Sequence, residues 1–389
     1  MVPKLRFKEF CGEWEETELK NEVDIIMGQS PSSDSYSEEK IGVPLVQGNA
    51  DIKNRITFPT RYTNKPTKIC KNDSLIMTVR APVGYIGKAN QEVCIGRGVC
   101  EIRVKKCNSE YIYQFLINKE DSWNKISQGS TFTSISSNDI KKLKIYIPSL
   151  QEQTKITDFL STVDDKIQNH QDKINHLENI KKGFMQKIFS RKIRFKDDGG
   201  EEFPEWKEKK LGDFLIKYDE ITVKNNQYPP LTSSRKGIFL QKDYFNNRQI
   251  ASEDNTGYNI VPFGYFTYRH MSDDAVFYFN INDLVEYGIV STLYPVFTTT
   301  KKMNSIFLQY YLNESTTFKK YCILQKQGGS RTYMYFNKLK QFIMEIPCLK
   351  EQQKIADFIS LFDEKISTEK ETLEHLKQLK KGLLQQMFV

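Results

Sequence analysis

Two glycine-containing loops offer backbone groups from which an anion site can be built. The loops at 129–131 and 328–330 occur at matched places along the chain, and Arg331 follows the second loop. Backbone N–H groups in loops of this kind can hold phosphate oxygens, and a guanidinium adds a forked pair of donors. An ordinary turn before a short helix is the alternative interpretation of each loop.

Side chains able to support catalysis or metal binding are scattered rather than clustered. Three of the four histidines lie in two long helical patterns, and His270 has no cysteine or histidine neighbour in sequence. This isolation argues against a general base or a metal ligand. Residues 227–230, Gln-Tyr-Pro-Pro, come nearest to an adenine methyltransferase motif but lack its catalytic amide or acid, and no P-loop motif is present. The sequence therefore predicts no catalytic constellation and no bound cofactor.

The cysteine content and the hydropathy pattern indicate the compartment. The seven cysteines are an odd number and contain no C-x-x-C spacing, so neither a zinc site nor a disulfide framework is indicated. Residues 1–10 lack the apolar core of a signal peptide, and no apolar run approaches the length of a membrane span. We expect a cytoplasmic protein with reduced thiols and no membrane contact.

The basic residues are distributed unevenly along the 389-residue chain, which carries a net charge of +8. Lys and Arg outnumber Asp and Glu by 22 to 18 in residues 1–147 and again in residues 191–346. The counts balance at 6 and 6 in residues 148–190 and at 7 and 7 in residues 347–389. A basic excess on two matched segments favours a polyanionic partner, most simply nucleic acid.

The elements that must position these groups are organised around an internal repeat. Residues 147–189 and 346–388 align without a gap at an offset of 199 positions, with 20 of 43 residues identical. The segments at 4–8 and 192–196 also match, whereas the interiors at 20–125 and 212–325 share little sequence. A repeat of this length is a whole structural unit used twice. Two similar frames with unlike interiors suggest one task performed on two different targets.

Each repeat has the heptad pattern of one long helix. Ser149 and Glu152 predict a capping box at the first helix, and Cys348 replaces that serine at the second. Apolar residues recur at alternating steps of three and four, and two polar residues interrupt the seam at matched places. The predicted helix-pair interface consists of Leu160, Val163, Ile167, His170, Ile174, Leu177 and Phe184 in the first copy, with Ile359, Phe362, Ile366, Glu369, Leu373, Leu376 and Leu383 in the second.

The polar residues of the seam suggest how the two helices pair. His170 and Glu369 each lie near the middle of a helix, so they would face each other in an antiparallel pair. Lys181 and Lys380 interrupt the seam at a second matched position. Polar seam residues fix register and partner at a cost in stability. Solvated helix edges are the alternative interpretation.

These patterns predict an α+β protein with an internal pseudo-twofold repeat. Two mixed α/β domains are separated by two long helices packed as an antiparallel coiled coil. The predicted boundaries are 1–147 for the first domain, 148–190 for the central helix, 191–346 for the second domain and 347–389 for the C-terminal helix.

The order of domain, helix, domain, helix resembles the specificity subunits of type I restriction–modification enzymes. The repeated motif I-P-x-L-x-E-Q-x-K-I at 147–156 and 346–355 carries the resemblance, together with Phe203-Pro204-Glu205-Trp206 and Leu211. The resemblance covers the whole chain and implies that each globular segment is a target recognition domain for one half of a split DNA sequence. It also implies that the helices set the distance between the half-sites and dock two methylation subunits.

The same resemblance implies the partners and their cofactors. The chain would bind double-stranded DNA, two methylation subunits that hold S-adenosylmethionine, and two restriction subunits that use ATP and Mg. The methylation subunits would flip an adenine out of the duplex before modifying it. The chain itself would be non-catalytic.

Arginine, lysine, glutamine and asparagine near glycine-containing loops are the candidate base readers, because such side chains match the major-groove edges of guanine and adenine. An ordinary surface residue is the alternative at every one of these positions. The candidates are Gln47, Asn49, Arg80, Lys88 and Arg97 in the first domain and Arg235, Lys236, Arg269 and Arg331 in the second.

Two other classes of function compete with this interpretation. A coiled-coil scaffold that binds only proteins accounts for the long helices but not for the basic excess on both globular segments. A self-sufficient DNA enzyme is disfavoured by the missing motifs.

Overall fold

The computed structural model describes residues 1–128, 134–246, 251–326 and 331–389. These residues form two compact units: unit 1 comprises Met1–Asp172 and Lys370–Val389, and unit 2 comprises Lys173–Glu369. Both units mix strands and helices, and each contains segments of both long helices. The α-helices of the described residues are α1 Ser109–Gln128, α2 Ser137–Lys141, α3 Leu150–Phe189, α4 Gln241–Tyr244, α5 Ser305–Glu314, α6 Thr316–Leu324, α7 Phe336–Gln341 and α8 Leu349–Met387.

The described residues of unit 1 form two sheets and a separate strand pair. Its strands are β1 Glu15–Glu18, β2 Val23–Met27, β3 Tyr36–Ser37, β4 Val43–Val46, β5 Ile52–Lys53, β6 Ile56–Thr57, β7 Arg61–Thr63, β8 Ile69–Cys70, β9 Leu75–Thr78, β10 Ile86–Lys88, β11 Val93–Ile95, β12 Val99–Val104 and β13 Lys144–Ile147. A six-stranded sheet has the order β2-β12-β9-β10-β6-β5, and a five-stranded sheet has the order β3-β7-β4-β11-β8. The remaining strands, β1 and β13, pair antiparallel.

Unit 2 has a different interior. Its strands are β14 Lys207–Lys210, β15 Leu215–Tyr218, β16 Leu231–Ser234, β17 Gly237–Leu240, β18 Asn259–Pro262, β19 Phe266–Thr267, β20 Met271–Ser272, β21 Asn280–Ile281, β22 Tyr287–Val290, β23 Val296–Thr299, β24 Thr332–Tyr333 and β25 Ile343–Ile346. A four-stranded sheet has the order β15-β23-β19-β21, and the other strands form two-stranded sheets. The sequence divergence between 20–125 and 212–325 therefore corresponds to different sheet arrangements.

The same strand pair precedes each long helix. In unit 1, β1 and β13 place Glu15 opposite Ile147. In unit 2, β14 and β25 place Lys207 opposite Ile346, the repeat equivalent of Ile147. A proline follows each isoleucine, and α3 and α8 begin at Leu150 and Leu349. The two long helices predicted from the repeat are confirmed.

An arginine fixes the start of each long helix to the segment that precedes the first strand of the same unit. Arg6 Nε and Nη2 donate to Glu152 at 2.7 and 2.9 Å, and Arg194 donates from the same atoms to Glu351 at 3.3 and 3.0 Å. Trp206 Nε1 also donates to Glu351, at 3.1 Å. Both carboxylates are buried. Matched arginine–glutamate bridges therefore explain the glutamate of the repeated motif.

The predicted capping box is only half formed. The Ser149 hydroxyl accepts from the backbone N–H of Glu152 at 3.3 Å, as a capping serine should. The Glu152 carboxylate, however, is engaged by Arg6 instead of turning back to the start of the helix. The prediction of a reciprocal box was wrong. Arg6, which binds the Glu152 carboxylate, lies 146 residues away in sequence, so the local motif could not reveal it. A charged donor binds a carboxylate more strongly than a neutral N–H does.

The glutamine of the repeated motif links each long helix to the start of a neighbouring helix. Gln153 Nε2 donates to the Pro148 carbonyl at 2.9 Å, and its Oε1 accepts from the backbone N–H of Asn108 at 2.8 Å. Gln352 makes the equivalent contacts at 3.0 and 2.8 Å. The motif thus organises the junction between long helix and globular core twice.

Segments of the two long helices pack antiparallel within each unit. In unit 2, Lys173 pairs with Glu369 at 2.5 Å, and further along α3 Lys181 pairs with Asp363, nearer the start of α8, at 2.5 Å. The hydrophobic core of unit 2 takes Met185 and Ile188 from the end of α3 together with Ile355 and Ile359 from the start of α8. The core of unit 1 has the reverse composition, with Ile156 and Leu160 from α3 and Leu384 and Met387 from α8.

One ion pair recurs in both units. Lys380 donates to Asp164 at 2.6 Å in unit 1, and Lys181 donates to Asp363 at 2.5 Å in unit 2. The repeat relates Asp164 to Asp363 and Lys181 to Lys380. The two lysines that interrupt the heptad seam are therefore each paired with the repeat-related aspartate. Burial lowers the pKa of Lys380, and the Asp164 carboxylate opposes that shift.

Candidate nucleic-acid interface

Unit 2 gathers its predicted base readers around one cavity. The β16–β17 hairpin places Arg235 and Lys236 in its turn, between Ser234 and Gly237. Arg269 lies shortly after β19 and is exposed. These three basic residues line a cavity of about 450 Å³ with Asp273. The structure thus brings together residues that are up to 34 positions apart in sequence.

Two carboxylates orient the arginines of this group. Arg331 Nε donates to Asp273 at 3.0 Å, and Arg235 Nη2 donates to Asp274 at 2.6 Å. The hydrogen bond from Arg235, followed by one from Ser272, lowers the pKa of Asp274. The four predicted readers carry four positive charges and the two carboxylates carry two negative charges, so the group has a net charge of +2. Exposed pairs of this kind contribute little stability, so their main effect is on side-chain orientation.

Exposed aromatic rings lie next to the arginines. The ring centroids of His270 and Tyr335 lie 5.0 Å apart. The rings of Tyr333 and Tyr335 are stacked, with centroids 5.7 Å apart and an interplanar angle of 13°. Exposure alternates from Arg331 to Tyr335, so that Arg331, Tyr333 and Tyr335 are exposed while the intervening residues are buried. Strand periodicity places such residues on one face. Sequence reasoning missed the two tyrosines, although the alternation R-x-Y-x-Y was a usable signal.

In unit 1, the backbone brings Gln47 and Arg97 together. A Cβ at Gly98 would lie 2.1 Å from the Gln47 carbonyl, so the turn that carries Arg97 can approach Gln47 only with glycine there. Gln47 Nε2 donates to the Tyr36 hydroxyl at 2.8 Å, and Asn49 lies two residues further on in a short 3-10 helix. Gln47 and Asn49 are neutral, and the Asp51 carboxylate, which accepts from the backbone N–H of Gln47 at 2.7 Å, offsets the charge of Arg97. This group therefore contrasts with the cation-rich group of unit 2.

The other two candidates of unit 1 have different surroundings. Arg80 is exposed and follows Val79, whose backbone N–H donates to the Gly98 carbonyl at 2.9 Å, so Arg80 is adjacent to the Arg97 turn. Lys88 lies on β10, where its ammonium group contacts Glu110 and lies 4.4 Å from the centre of the Tyr113 ring. Lys88 therefore belongs to a polar group on α1 and not to the Arg97 turn.

The predicted helix-pair residues are all buried or half-buried. The buried residues are Leu160, Val163, Ile174, Ile359, Ile366 and Leu373, and the half-buried ones are Ile167, His170, Leu177, Phe184, Phe362, Glu369, Leu376 and Leu383. Glu369 forms its ion pair with Lys173. A direct pairing of His170 with Glu369 remains a prediction.

The predictions about metal sites, membrane spans and anion-binding loops concern other parts of the chain. Within the described ranges, no group of His, Cys, Asp and Glu side chains is arranged to hold a metal ion. None of the helices that the structure describes has the length and apolarity needed to cross a membrane. The predicted anion loops at 129–131 and 328–330 lie outside the described residues.

Comparison with known proteins places these features in a family. The model of the type I restriction modification DNA specificity domain matches residues 12–179 and again residues 204–378. The two matches fall on the two halves of the internal repeat and together cover most of the chain.

Individual relatives of this chain are also specificity subunits of type I restriction enzymes. The putative type I restriction enzyme MjaX specificity subunit of Methanocaldococcus jannaschii is 36% identical over 197 residues, which is 50% of this chain and 46% of that relative. The MjaIX specificity subunit of the same organism is 23% identical over 96% of this chain and 92% of its own length.

A solved structure has the same fold along the full chain. The crystal structure of the type I restriction–modification S subunit from M. genitalium covers 100% of this chain and 99% of its own, with a TM-score of 0.57 and 16% identity. The predicted fold class, two mixed α/β domains with long antiparallel helices, is thereby confirmed. With both halves matched by the same family model, the chain belongs to the type I restriction–modification DNA specificity family.

Proposed function

We propose that this chain reads a bipartite double-stranded DNA sequence, with each unit recognising one half-site. The observation that carries the proposal is the duplicated frame with unlike interiors. The arginine–glutamate bridge, the glutamine contacts and the aspartate–lysine pair occur in both units. The base-reader candidates, by contrast, lie in interiors with different sheet orders. Such a division suits one reading task performed on two different sequences.

In unit 2, Arg235, Lys236, Arg269 and Arg331 supply the contacts to DNA. A guanidinium held by a carboxylate presents its remaining N–H groups in a fixed direction, which favours paired contacts to O6 and N7 of guanine. Tyr333 and Tyr335 extend the same exposed surface and offer apolar contact to base edges. In unit 1, Gln47 and Arg97 form the corresponding group, and the predominance of neutral donors and acceptors there favours a half-site read through adenine.

The long helices serve as the spacer between the two readers. Two heads that use one face of the duplex must be about 34–36 Å apart, one helical turn. The 40 residues of α3 extend roughly 60 Å at 1.5 Å per residue, so rigid helices of this length can set such a distance. A flexible linker of the same reach would not fix it.

The catalytic partners belong to the same proposal. Two methylation subunits dock on the helices and bring S-adenosylmethionine, and two restriction subunits bring ATP and Mg. The chain contributes sequence recognition and the docking surfaces, and no catalytic step. The repeated frame supplies equivalent surfaces to two identical subunits on one polypeptide.

A half-site experiment tests this proposal. The full chain is co-expressed with its methylation subunit, and genomic methylation is sequenced for the wild type and for Arg269→Ala/Arg331→Ala. We expect a two-part motif in the wild type, relaxed in only one half by the variant. Lys302→Ala/Lys320→Ala, which removes two cations elsewhere in unit 2, is the charge-matched control and should leave both halves intact. Equal relaxation of both halves, or no effect of the Arg269→Ala/Arg331→Ala variant, would contradict the assignment of one half-site to unit 2.

A further inference from the structure

Each long helix contains a glycine in its interior. Gly183 is followed by six helical residues before α3 ends at Phe189, and Gly382 by five before α8 ends at Met387. Neither glycine is therefore a C-terminal cap. Glycine in a helix interior is less stable than alanine because it loses more backbone entropy on folding. The repeat retains this unfavourable residue at both equivalent positions.

The packing of the chain does not require these glycines. Apart from the neighbouring residues and the backbone of its own helix, a Cβ added at Gly183 or at Gly382 would meet no atom within 4 Å. Gly98 is a contrasting case, because a Cβ there would come within 2.1 Å of the Gln47 carbonyl. A glycine retained inside a helix ordinarily has a packing or functional reason. The described residues supply no packing reason, so the two glycines are suited to a partner that approaches the helix backbone.

The residues beside each glycine are also identical in both copies and exposed. They are Lys182 and Gln186 on α3 and Lys381 and Gln385 on α8. Residues three and four apart are neighbours on a helix surface, so the lysine, the glycine and the glutamine form one continuous surface. We call Lys182, Gly183 and Gln186 the unit 2 glycine patch, and Lys381, Gly382 and Gln385 the unit 1 glycine patch.

Internal contacts explain several other identities of the repeat but not these. The glutamates bind arginines, the glutamines hold helix starts, and Asp164 and Asp363 pair with lysines. Lys381 makes a 2.7 Å pair with Asp121, but both side chains are exposed, and such pairs contribute little. Two residues of the unit 1 glycine patch, Lys381 and Gln385, also line an open cavity of about 350 Å³ together with Lys377.

We propose that each glycine patch binds one copy of the methylation subunit through an acidic segment whose backbone lies against the glycine. The lysine attracts a carboxylate, the glutamine offers both a donor and an acceptor, and the missing Cβ permits close approach. This inference rests on the proposed function, because it assigns the docking contact of that same assembly. Two equivalent patches on one chain account for the binding of two identical subunits.

Alanine at the glycines separates folding from docking, because the two effects have opposite signs. Gly183→Ala and Gly382→Ala should each raise the Tm of the full chain by roughly 2 °C, since the added methyl group has free space and alanine favours the helix. Each should weaken binding at one patch at least tenfold. Native mass spectrometry of the chain with excess methylation subunit should therefore show two copies on the wild type, one on each single variant and none on the double variant.

Asn169→Ala is the matched control, because Asn169 is exposed on α3 and differs from its repeat equivalent, Thr368. It should raise Tm similarly and leave two copies bound. The inference would be overturned, without affecting the proposed function, if two copies of the methylation subunit bound with wild-type affinity to the Gly183→Ala/Gly382→Ala variant and to the corresponding double leucine variant. A fall in the Tm of the glycine-to-alanine variants would also overturn it, because it would show that the glycines are needed for the packing of the chain itself. If the wild-type chain bound no methylation subunit, the proposed assembly would fail together with the patches.

Discussion

Replacing Glu351 with alanine tests how the long helix α8 is held to the core of unit 2. The Glu351 carboxylate is fully buried and accepts from Arg194 Nε, Arg194 Nη2 and Trp206 Nε1 at 3.0–3.3 Å. The bridge raises the pKa of the Arg194 guanidinium, mainly through the hydrogen bond to Glu351. The arginine remains charged even without that partner, because the unperturbed pKa of arginine is far above neutral. The substitution therefore leaves a cation and an indole N–H without their buried acceptor.

The expected loss of unfolding free energy is about 3 kcal/mol. Breaking a buried ion pair by removing one partner costs roughly 3–5 kcal/mol. Arg194 retains the carbonyls of Phe203 and Pro204 as acceptors, at 3.0 and 2.7 Å, which favours the lower end of that range. Glu205→Ala is an internal control, because Glu205 binds the same arginine at 2.9 Å but its side chain is 82% exposed. That change should cost less than about 1 kcal/mol.

Equilibrium urea unfolding of both variants measures the difference. Hydrogen exchange on peptides from unit 2 assigns the loss to the residues around the start of α8. The outcome expected is a clear separation between Glu351→Ala and Glu205→Ala, with lowered protection near the bridge. If Glu351→Ala lost no more stability than Glu205→Ala, the bridge would not be what fixes the helix.

Three other perturbations follow from the same contacts. Arg331→Ala should weaken binding of cognate DNA by about 1–3 kcal/mol, as measured by fluorescence anisotropy at fixed salt; unchanged binding would remove this residue from the readers. Asp164→Asn should destabilise the chain at pH 7 by leaving Lys380 buried and charged, and the deficit should shrink as pH rises, because the lowered pKa of Lys380 lets it become neutral; a pH-independent deficit in urea unfolding would refute this. Maleimide at pH 8 should modify exposed Cys11 within minutes but spare Cys322, whose pKa burial raises to about 12; mass spectrometry showing equal labelling would contradict the buried placement.

The long helices were predictable because their signals are local or repeated. The heptad pattern of α3 and α8 can be identified without knowing the tertiary structure, and so can the repeat at an offset of 199 residues. The seam lysines were identified as matched interruptions, but their partners Asp164 and Asp363 were not. Both aspartates lie next to the apolar seam positions, and only the antiparallel packing brings a lysine of one helix to an aspartate of the other.

The candidate reading surface was predictable in residue type and only partly in position. Arg235, Lys236, Arg269 and Arg331 were selected for their donors. Three of them line one cavity, and the fourth, Arg331, binds Asp273, which also lines it. Lys88 shows the limit of that reasoning, because α1 supplies Glu110 to its ammonium group. Such a contact depends on how α1 packs beside β10, which no spacing in the sequence encodes.

The central claim is that two unlike units on one duplicated frame read two halves of one DNA sequence. The most direct measurement exchanges residues 212–335 of this chain, which include all four proposed readers of unit 2, for the corresponding segment of a relative with a known target and sequences the resulting methylation. The account predicts a two-part motif in which one half and the spacing stay as in the wild type while the other half changes to that of the donor. A motif in which both halves change together, or a single uninterrupted motif, would contradict it.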